Sequence, residues 1–508
     1  MATVVSSFGI EGVDAIKVEI EASSMGGIPM VSIIGLGDQA VTEAAERLEA
    51  ALVHAGYKMP SGKAILNLAP GDIRKRGSHY DLGMAIALLQ ETKQISCRDL
   101  PEYAFIGELS LNAGVRQCNG ILSMTVAAKE QGFSKVMIPE KNTEEASVIK
   151  DIEIIGVSTL KEAIGILEGG EKHVVSVKEN NAKQQKKEEE IDDFSDVAGQ
   201  EEAVFAAMIA SAGGHNMLMI GEPGCGKSMI AKRIPSILPQ MSDCEALETT
   251  RIHSIAGEYR GGGLMRERPF RAPHHNISMN ALIGGGKDAL PGEITLAHNG
   301  VLFLDEFTEF SQHTLDSLRQ PLEDKKVTIS RVNRTNVFPA NFMLVAACNP
   351  CPCGYKLSGH CTCTDREVFK YRKKISGPIY ERIDIQVIMK TFSFFKTGGD
   401  SCFREGPNST KEIRKMVLKA REIQAERYKD YPDINLNCQM HDGMLKKFCV
   451  MTPDAESELQ DIVKSRKYSA RVINRMLRVM RTIADVEGSD IIDMTHVRFA
   501  AMLRSELA

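Results

Sequence analysis

The stretch Gly221-Glu222-Pro223-Gly224-Cys225-Gly226-Lys227-Ser228 constrains the fold of this chain more than any other. Its glycines let the backbone turn so tightly that successive N–H groups converge on one point, which is the geometry of a phosphate cradle. Such a turn has that meaning between a strand and a helix, and the context is present. The apolar run Asn216–Ile220 precedes it, and a helix is expected from about Lys227, adding its positive N-terminal dipole. Lys227 is placed to reach the β- and γ-phosphates of a nucleoside triphosphate, and the Ser228 hydroxyl to ligate Mg²⁺. ATP and Mg²⁺ are therefore the expected cofactors.

Two further strands support this site. Val301–Leu304 runs into Asp305-Glu306, placing two carboxylates at a strand's carboxyl end, where α/β proteins bind ligands. Asp305 is expected to hold Mg²⁺ through its water shell and Glu306 to polarise the attacking water. A loose phosphoryl-transfer transition state asks mainly for positioning and charge neutralisation. The run Phe342–Ala346 leads to Cys348-Asn349-Pro350, where Asn349 can hydrogen-bond both water and γ-phosphate; Asn-Pro is also a common turn dipeptide.

The rest of the chain sets outer limits. At 508 residues it exceeds one hydrophobic core, so several domains are expected. A formal net charge of -5 gives no global basic field, and any polyanion contact must come from a local patch. No run approaches the ~20 apolar residues of a membrane-spanning helix. The start MATVVSSFGIEG lacks the basic and apolar regions of an export signal, so a cytoplasmic protein without membrane partners is expected.

Composition divides the chain into three pieces. Ser176–Asp193 (SVKENNAKQQKKEEEIDD) is charged and amide-rich, as in a solvated linker, and Thr391–Ser409 mixes Gly, Ser and Pro. The first piece alternates strands (Met30–Ile34, Ala64–Leu68, Tyr103–Gly107, Lys135–Ile138) with helices. Val41, Ala44, Leu48, Leu52 and Ala55 share one helical face, and further helices are expected at Tyr80–Gln90 and Ile121–Glu130. The middle piece is also α/β. The last is helical: Ile413, Met416, Ala420 and Ile423 share a face, and Thr452-Pro453 supplies a cap followed by proline at the first helical position. Further helices are expected at Ala470–Val486 and Thr495–Leu503.

Five of the twelve cysteines fall between Cys348 and Cys363. Cys351, Cys353, Cys361 and Cys363 form a CxC-x7-CxC array that can close a tetrahedral, structural Zn²⁺, with Cys348 and His360 adjacent. The usual zinc-ribbon spacing is CxxC, and reduced, metal-free thiols are the alternative.

The stretches NLAPGDIRKRGSHYDL, RPFRAPHHNIS, ALIGGGKDALPGEITLAHNGVLFLDEF, LRQPLEDKKVTISR, NPCPCGY, SGPIYERIDI and SARVINRMLRVMRTIADVEG resemble the magnesium-chelatase-like AAA+ family called YifB or ComM, along essentially the whole chain. The resemblance implies an α/β multidomain protein. It would comprise a Lon-protease-like domain over residues 1–175, a P-loop AAA+ core over 194–390 and a C-terminal helical lid over 410–508. It implies hexameric rings with ATP between neighbours, Asn349 as sensor 1, Arg382 as a finger reaching the adjacent subunit, and Arg471 as sensor 2. The stretch Ile252–Gly286 resembles a helix-2 insert and Lys325–Val337 a pre-sensor-1 hairpin. ComM-type members are branch-migration helicases, which implies a DNA track and makes Lys325, Lys326, Arg331 and Arg334, four cations within ten residues, candidates to follow phosphates.

Two other readings stay open. A chelatase-type motor would remodel a partner protein. A Lon-type protease would need a serine nucleophile activated by a lysine, but the best register puts Asp81 at the serine's place, with Ser78 three residues early.

Overall fold

The computed structural model describes residues 2–170, 193–286, 289–331, 334–389 and 409–504, without the side chains of Arg331 and Arg334. The charged linker and the Gly/Ser/Pro connector, apart from Asp193 and Ser409, lie outside the described residues. The chain forms two compact α/β units.

The first unit comprises Met1–Lys186, Asp243–Met265 and Ser330–Val337. Its seven-stranded sheet is mixed. A hairpin of Thr3–Glu11 and Asp14–Met25 lies at its centre, in the register Ser7↔Val18. Ile16, Val18, Ile20 and Ala22 alternate with charged residues, which is the period of a strand, and Gly12 turns the chain with φ +64°. The expected strand at Ala64–Leu68 is Lys63–Ala69, antiparallel to this hairpin, with Met30–Ile34 parallel to it at the edge. On the other side follow Tyr103–Phe105, Lys135–Pro139 and Glu153–Val157, all parallel.

Both sheet faces are covered. The helix Asp81–Glu91 buries every residue from Asp81 to Leu89, as befits a segment apolar on all sides. It shares a core with Ala44–His54. The opposite face packs Phe8, Ala104, Ile106, Val136 and Ile138 against Ile121–Glu130. The helix Asp243–Ile255 belongs to this unit although it follows the P-loop in sequence. Arg251 donates to the Val13 carbonyl at 2.9 Å and Asp14 at 2.6 Å, and Ser254 donates to the buried Glu145 while accepting from Gly120 N at 3.0 Å.

The second unit comprises Lys187–Ser242, Arg266–Ile329 and Phe338–Ala508. Its sheet has the order Phe270–Arg271, Val301–Leu304, Met343–Cys348, Met217–Ile220, Ile385–Ile388, with every pair parallel. The strands are continuous apolar runs because both faces are buried. Parallel pairing also brings all five carboxyl ends to one edge of the sheet. The C-terminal helices Thr410–Arg427, Pro453–Arg466, Ala470–Glu487 and Met494–Met502 share one core with the sheet helix Glu201–Gly213. Thr452 caps its helix as the sequence suggests, accepting from Ala455 N, and Ser469 accepts from Val472 N at the start of Ala470–Glu487.

Candidate functional site: a nucleotide pocket at the sheet's carboxyl edge

The loop after Met217–Ile220 carries Gly224 and Gly226 at φ +79° and +93°. A Cβ added at either would meet no atom within 4 Å, so the loop rims open space, as a phosphate cradle must. The helix Lys227–Ile237 starts immediately after Gly226 and aims its N-terminus at that space. Lys227 is buried, and its Nζ donates to the carbonyls of Gly221 and Glu222 at 2.6 and 2.9 Å and to Asn349 Oδ1 at 3.1 Å. The ammonium is thus fixed at the pocket wall by three acceptors.

Neighbouring strand ends supply the other groups. Ser228 Oγ donates to Asp305 Oδ2 at 2.8 Å, which joins the two groups expected around Mg²⁺. Asp305 Oδ1 accepts from Glu306 N at 2.9 Å. Glu306 is a non-glycine residue in the left-handed region, φ 50° and ψ 45°, a strained placement of a kind that concentrates at functional sites. Pro223 through Met229, Asp305, Glu306 and Asn349 line a pocket of about 410 Å³, within the usual range for small-ligand sites. Gly221 and Glu222 lie behind this wall. Hydroxyl, carboxylate, ammonium and open glycine cradle together fit a magnesium-bound triphosphate.

His275 has no role in the sequence reading, yet its Nδ1 lies 2.8 Å from Glu306 Oε2. The short strand Phe270–Arg271 pairs in parallel with Val301-Leu302, so the residues after both strands emerge side by side. A histidine in a loop leaving a strand was the available signal. Its meaning depended on knowing which strand lies next door.

Cys351, Cys353, Cys361 and Cys363 converge, with all four sulfurs within 4.8 Å of one another. Cys351 and Cys353 are 3.4 Å apart, and each lies 3.6 Å from Cys361. Zn–S bonds of ~2.3 Å in a tetrahedron place sulfurs ~3.8 Å apart, so the donor set fits that ion. Amides of Tyr355 and Thr362 stabilise the Cys353 thiolate and pull its thiol down to about 6. Cys348 and His360 stay outside the cluster; burial pushes the Cys348 thiol up to about 12. Among the described residues this is the one such group of metal donors.

Comparison with known proteins places the chain. Residues 193–396 match the family described as magnesium chelatase, subunit ChlI. Residues 18–142 match subunit ChlI of Mg-chelatase, and residues 407–504 its C-terminal family. The YifB protein of Escherichia coli (strain K12) is 36% identical over 495 residues, 97% of this chain and 95% of that protein. Competence protein ComM of Haemophilus influenzae is 36% identical over 500 residues, 97% of this chain and 96% of that protein. The chain belongs to the YifB/ComM magnesium-chelatase-like family. It is thus an AAA+ protein, and membership implies ATP and Mg²⁺ as its cofactors. The magnesium-chelatase 38 kDa subunit of Acidiphilium rubrum is 25% identical over 182 residues, 31% of this chain and 52% of that protein.

The two family arginines stand apart from the pocket. Arg382 donates to the Pro378 carbonyl at 2.7 Å and pairs with Glu323. Arg471, 72% exposed in its side chain, lies 3.8 Å from Glu381. Neither is among the residues lining the pocket. Lys326–Arg331 and Arg334–Pro339 form a two-stranded sheet, with Lys326 exposed and Lys325 partly so; the Arg331 and Arg334 side chains lie outside the described residues.

In the first unit, Asp81 has a fully buried side chain, gripped by Arg47 through two bonds of 2.8 and 3.0 Å and by Leu109 N at 3.2 Å. Ser78 donates its hydroxyl to Glu108, and buried Lys75 donates to the Pro70 carbonyl. Among the described residues no helix is long and apolar enough to cross a membrane.

Proposed function

We propose that this chain is an ATP-hydrolysing AAA+ motor that works as a homohexameric ring and moves on branched or single-stranded DNA, as a ComM-like branch-migration helicase. The observation that carries the motor is the convergence of Lys227, Ser228, Asp305, Glu306 and Asn349 around one pocket whose lining, among the described residues, includes no arginine. Magnesium, when bound, supplies charge neutralisation at the triphosphate. Lys227 and the loop amides hold the phosphates, Ser228 and Asp305 hold the ion, Asn349 positions water, and Glu306 polarises it once released from His275. The residues 1–175 are read as a Lon-protease-like domain without protease activity, and 410–508 as the helical lid bearing Arg471. Support for the inactive domain comes from Asp81, a buried carboxylate held by Arg47, at the nucleophile's place. The ring is supported by Arg382 lying away from its own pocket, the track by a relative that carries the name competence protein.

Lys325, Lys326, Arg331 and Arg334 are proposed to follow DNA phosphates, and the four cysteines to hold one structural Zn²⁺. A second reading, a chelatase-type motor that remodels a partner protein, draws support from the three stretches matching magnesium-chelatase families. Unwinding of a synthetic four-way junction with ATP, together with DNA-stimulated hydrolysis at low salt, is the deciding experiment. If DNA neither binds nor stimulates, the track is not DNA and the remodeller stands. Glu306→Gln is expected to bind ATP yet turn over ~10²–10⁴-fold more slowly, the usual worth of a general base. Normal turnover by this variant would remove Glu306 from its role.

A further inference from the structure

The loop that gathers the four thiols is also built against the nucleotide site. It leaves the strand Met343–Cys348, whose last carbonyl accepts from Gly221 N at 3.2 Å, just before Asn349 reaches Lys227. Gly354 N then bonds to the Cys351 carbonyl at 3.0 Å, a tight turn with Gly354 at φ +89°. A Cβ at Gly354 would lie 2.9 Å from both Cγ and Cδ of Pro223, so only glycine allows this backbone to rest on the P-loop. Four residues later, Ser358 N donates to Glu222 Oε1 at 2.6 Å. Glu222 is only 2% exposed, and a carboxylate buried that far depends on its donors.

From Cys351 to Thr364 the loop consists of turns and irregular backbone, with no helix or strand to hold it. Ordering such a segment costs backbone entropy at every residue, and a four-way metal cross-link offsets that cost by restricting the loop's alternatives. The P-loop residues Glu222 and Pro223 are contacted by the very residues, Gly354 and Ser358, that lie between the first and second cysteine pairs.

We propose that metal bound by Cys351, Cys353, Cys361 and Cys363 braces the nucleotide site, holding Gly354 and Ser358 against Pro223 and Glu222, so that metal occupancy sets the affinity of the P-loop for nucleotide. This rests on reading the thiols as a zinc site and Gly221–Ser228 as the nucleotide loop. Coupling of this kind is reciprocal, so nucleotide must also retain the metal.

The test uses the full chain, zinc-loaded and then stripped by a chelator. Three quantities are measured: zinc per chain, the Kd of a fluorescent ATP analogue with Mg²⁺, and the rate of zinc loss to a colorimetric chelator with and without non-hydrolysable ATP. Stripping is expected to weaken nucleotide binding at least tenfold, reversibly on zinc return, and nucleotide is expected to slow zinc loss. Ser358→Pro removes the donor to Glu222 but no thiol. It should keep its zinc, bind nucleotide more weakly, and respond less to stripping, which preserves the test should stripped protein unfold. A chain that binds nucleotide but takes up no zinc refutes the zinc site and the brace with it. A zinc-loaded chain that binds no nucleotide refutes the P-loop reading and the brace. Both ligands bound with unchanged affinities refute the brace alone.

Discussion

Arg382→Ala is expected to reduce ATP turnover by roughly 10³-fold or more, the span attributed to a transition-state arginine, while nucleotide still binds. Binding draws on Lys227, Ser228 and the glycine cradle, none of which touches Arg382. In the single chain the guanidinium is held by the Pro378 carbonyl and by Glu323, whose carboxyl this pairing lowers below its usual range. Glu323 is 60% exposed in its side chain and Arg382 only 13%, so reaching a neighbouring subunit requires the guanidinium to leave this pairing. The decisive measurement mixes Arg382→Ala with wild-type chains. If the finger acts in trans within a ring, hydrolysis falls more steeply than the wild-type fraction; strict proportionality would contradict action between subunits. Arg382→Lys should rescue poorly, because an ammonium lacks the planar fork that spans phosphate oxygens.

Asp384→Ala is expected to destabilise the second unit by about 3–5 kcal/mol, the usual cost of removing one partner from a buried ion pair. Its carboxylate pairs with Arg475, accepts from Asn216 N at 3.2 Å and lies 3.3 Å from His215 Nδ1. Asn216 donates to the Arg382 carbonyl at 3.2 Å and Arg475 to the same carbonyl at 3.0 Å, so one polar network ties the start of the P-loop strand, the segment carrying Arg382 and the helix Ala470–Glu487. At ~2–4 °C per kcal/mol for a unit this large, the melting transition should drop by roughly 10 °C; a shift under ~1 °C would show that the network carries no such weight. Burial alone would raise the Asp384 carboxyl, but Arg475 and His215 outweigh it and hold the group well below the carboxylate range. A depressed folded pKa means that this stabilisation is fully present above the unfolded value of about 4 and is lost as pH falls below it. Acid titration of wild type should therefore show unfolding that Asp384→Ala shows in weaker form.

Much of the site was legible because its residues are local. The glycines, Lys227 and Ser228 are contiguous, and Asp305 and Asn349 each follow an apolar run that could only be a buried strand. The four cysteines lie within one loop, so their spacing alone made a metal site plausible. The helix at Pro453–Arg466 announced itself through the cap Thr452 and the proline after it. The hairpin Thr3–Glu11 and Asp14–Met25 is absent from the sequence reading. Its alternation of Ile16, Val18, Ile20 and Ala22 with charged residues is a period-2 signal that the sequence carries.

What the sequence alone determined is which chemical groups each strand carries to its end: phosphate cradle, Asp305-Glu306, Asn349 and the thiol array. Which of those ends are neighbours was decided by the order of the parallel sheet, a product of long-range pairing between Met217–Ile220, Val301–Leu304 and Met343–Cys348. Only that order sets His275 against Glu306, and only the folded loop sets Ser358 against Glu222. The segment Asp243–Met265 shows the same division at larger scale. Its helical character is local, but its place in the first unit comes from Arg251 and Ser254 finding Asp14 and Glu145, partners more than a hundred positions away in sequence. Local propensity and spacing are properties of short windows, whereas side-chain encounters across such distances arise only when apolar burial has brought the sheets and helices together.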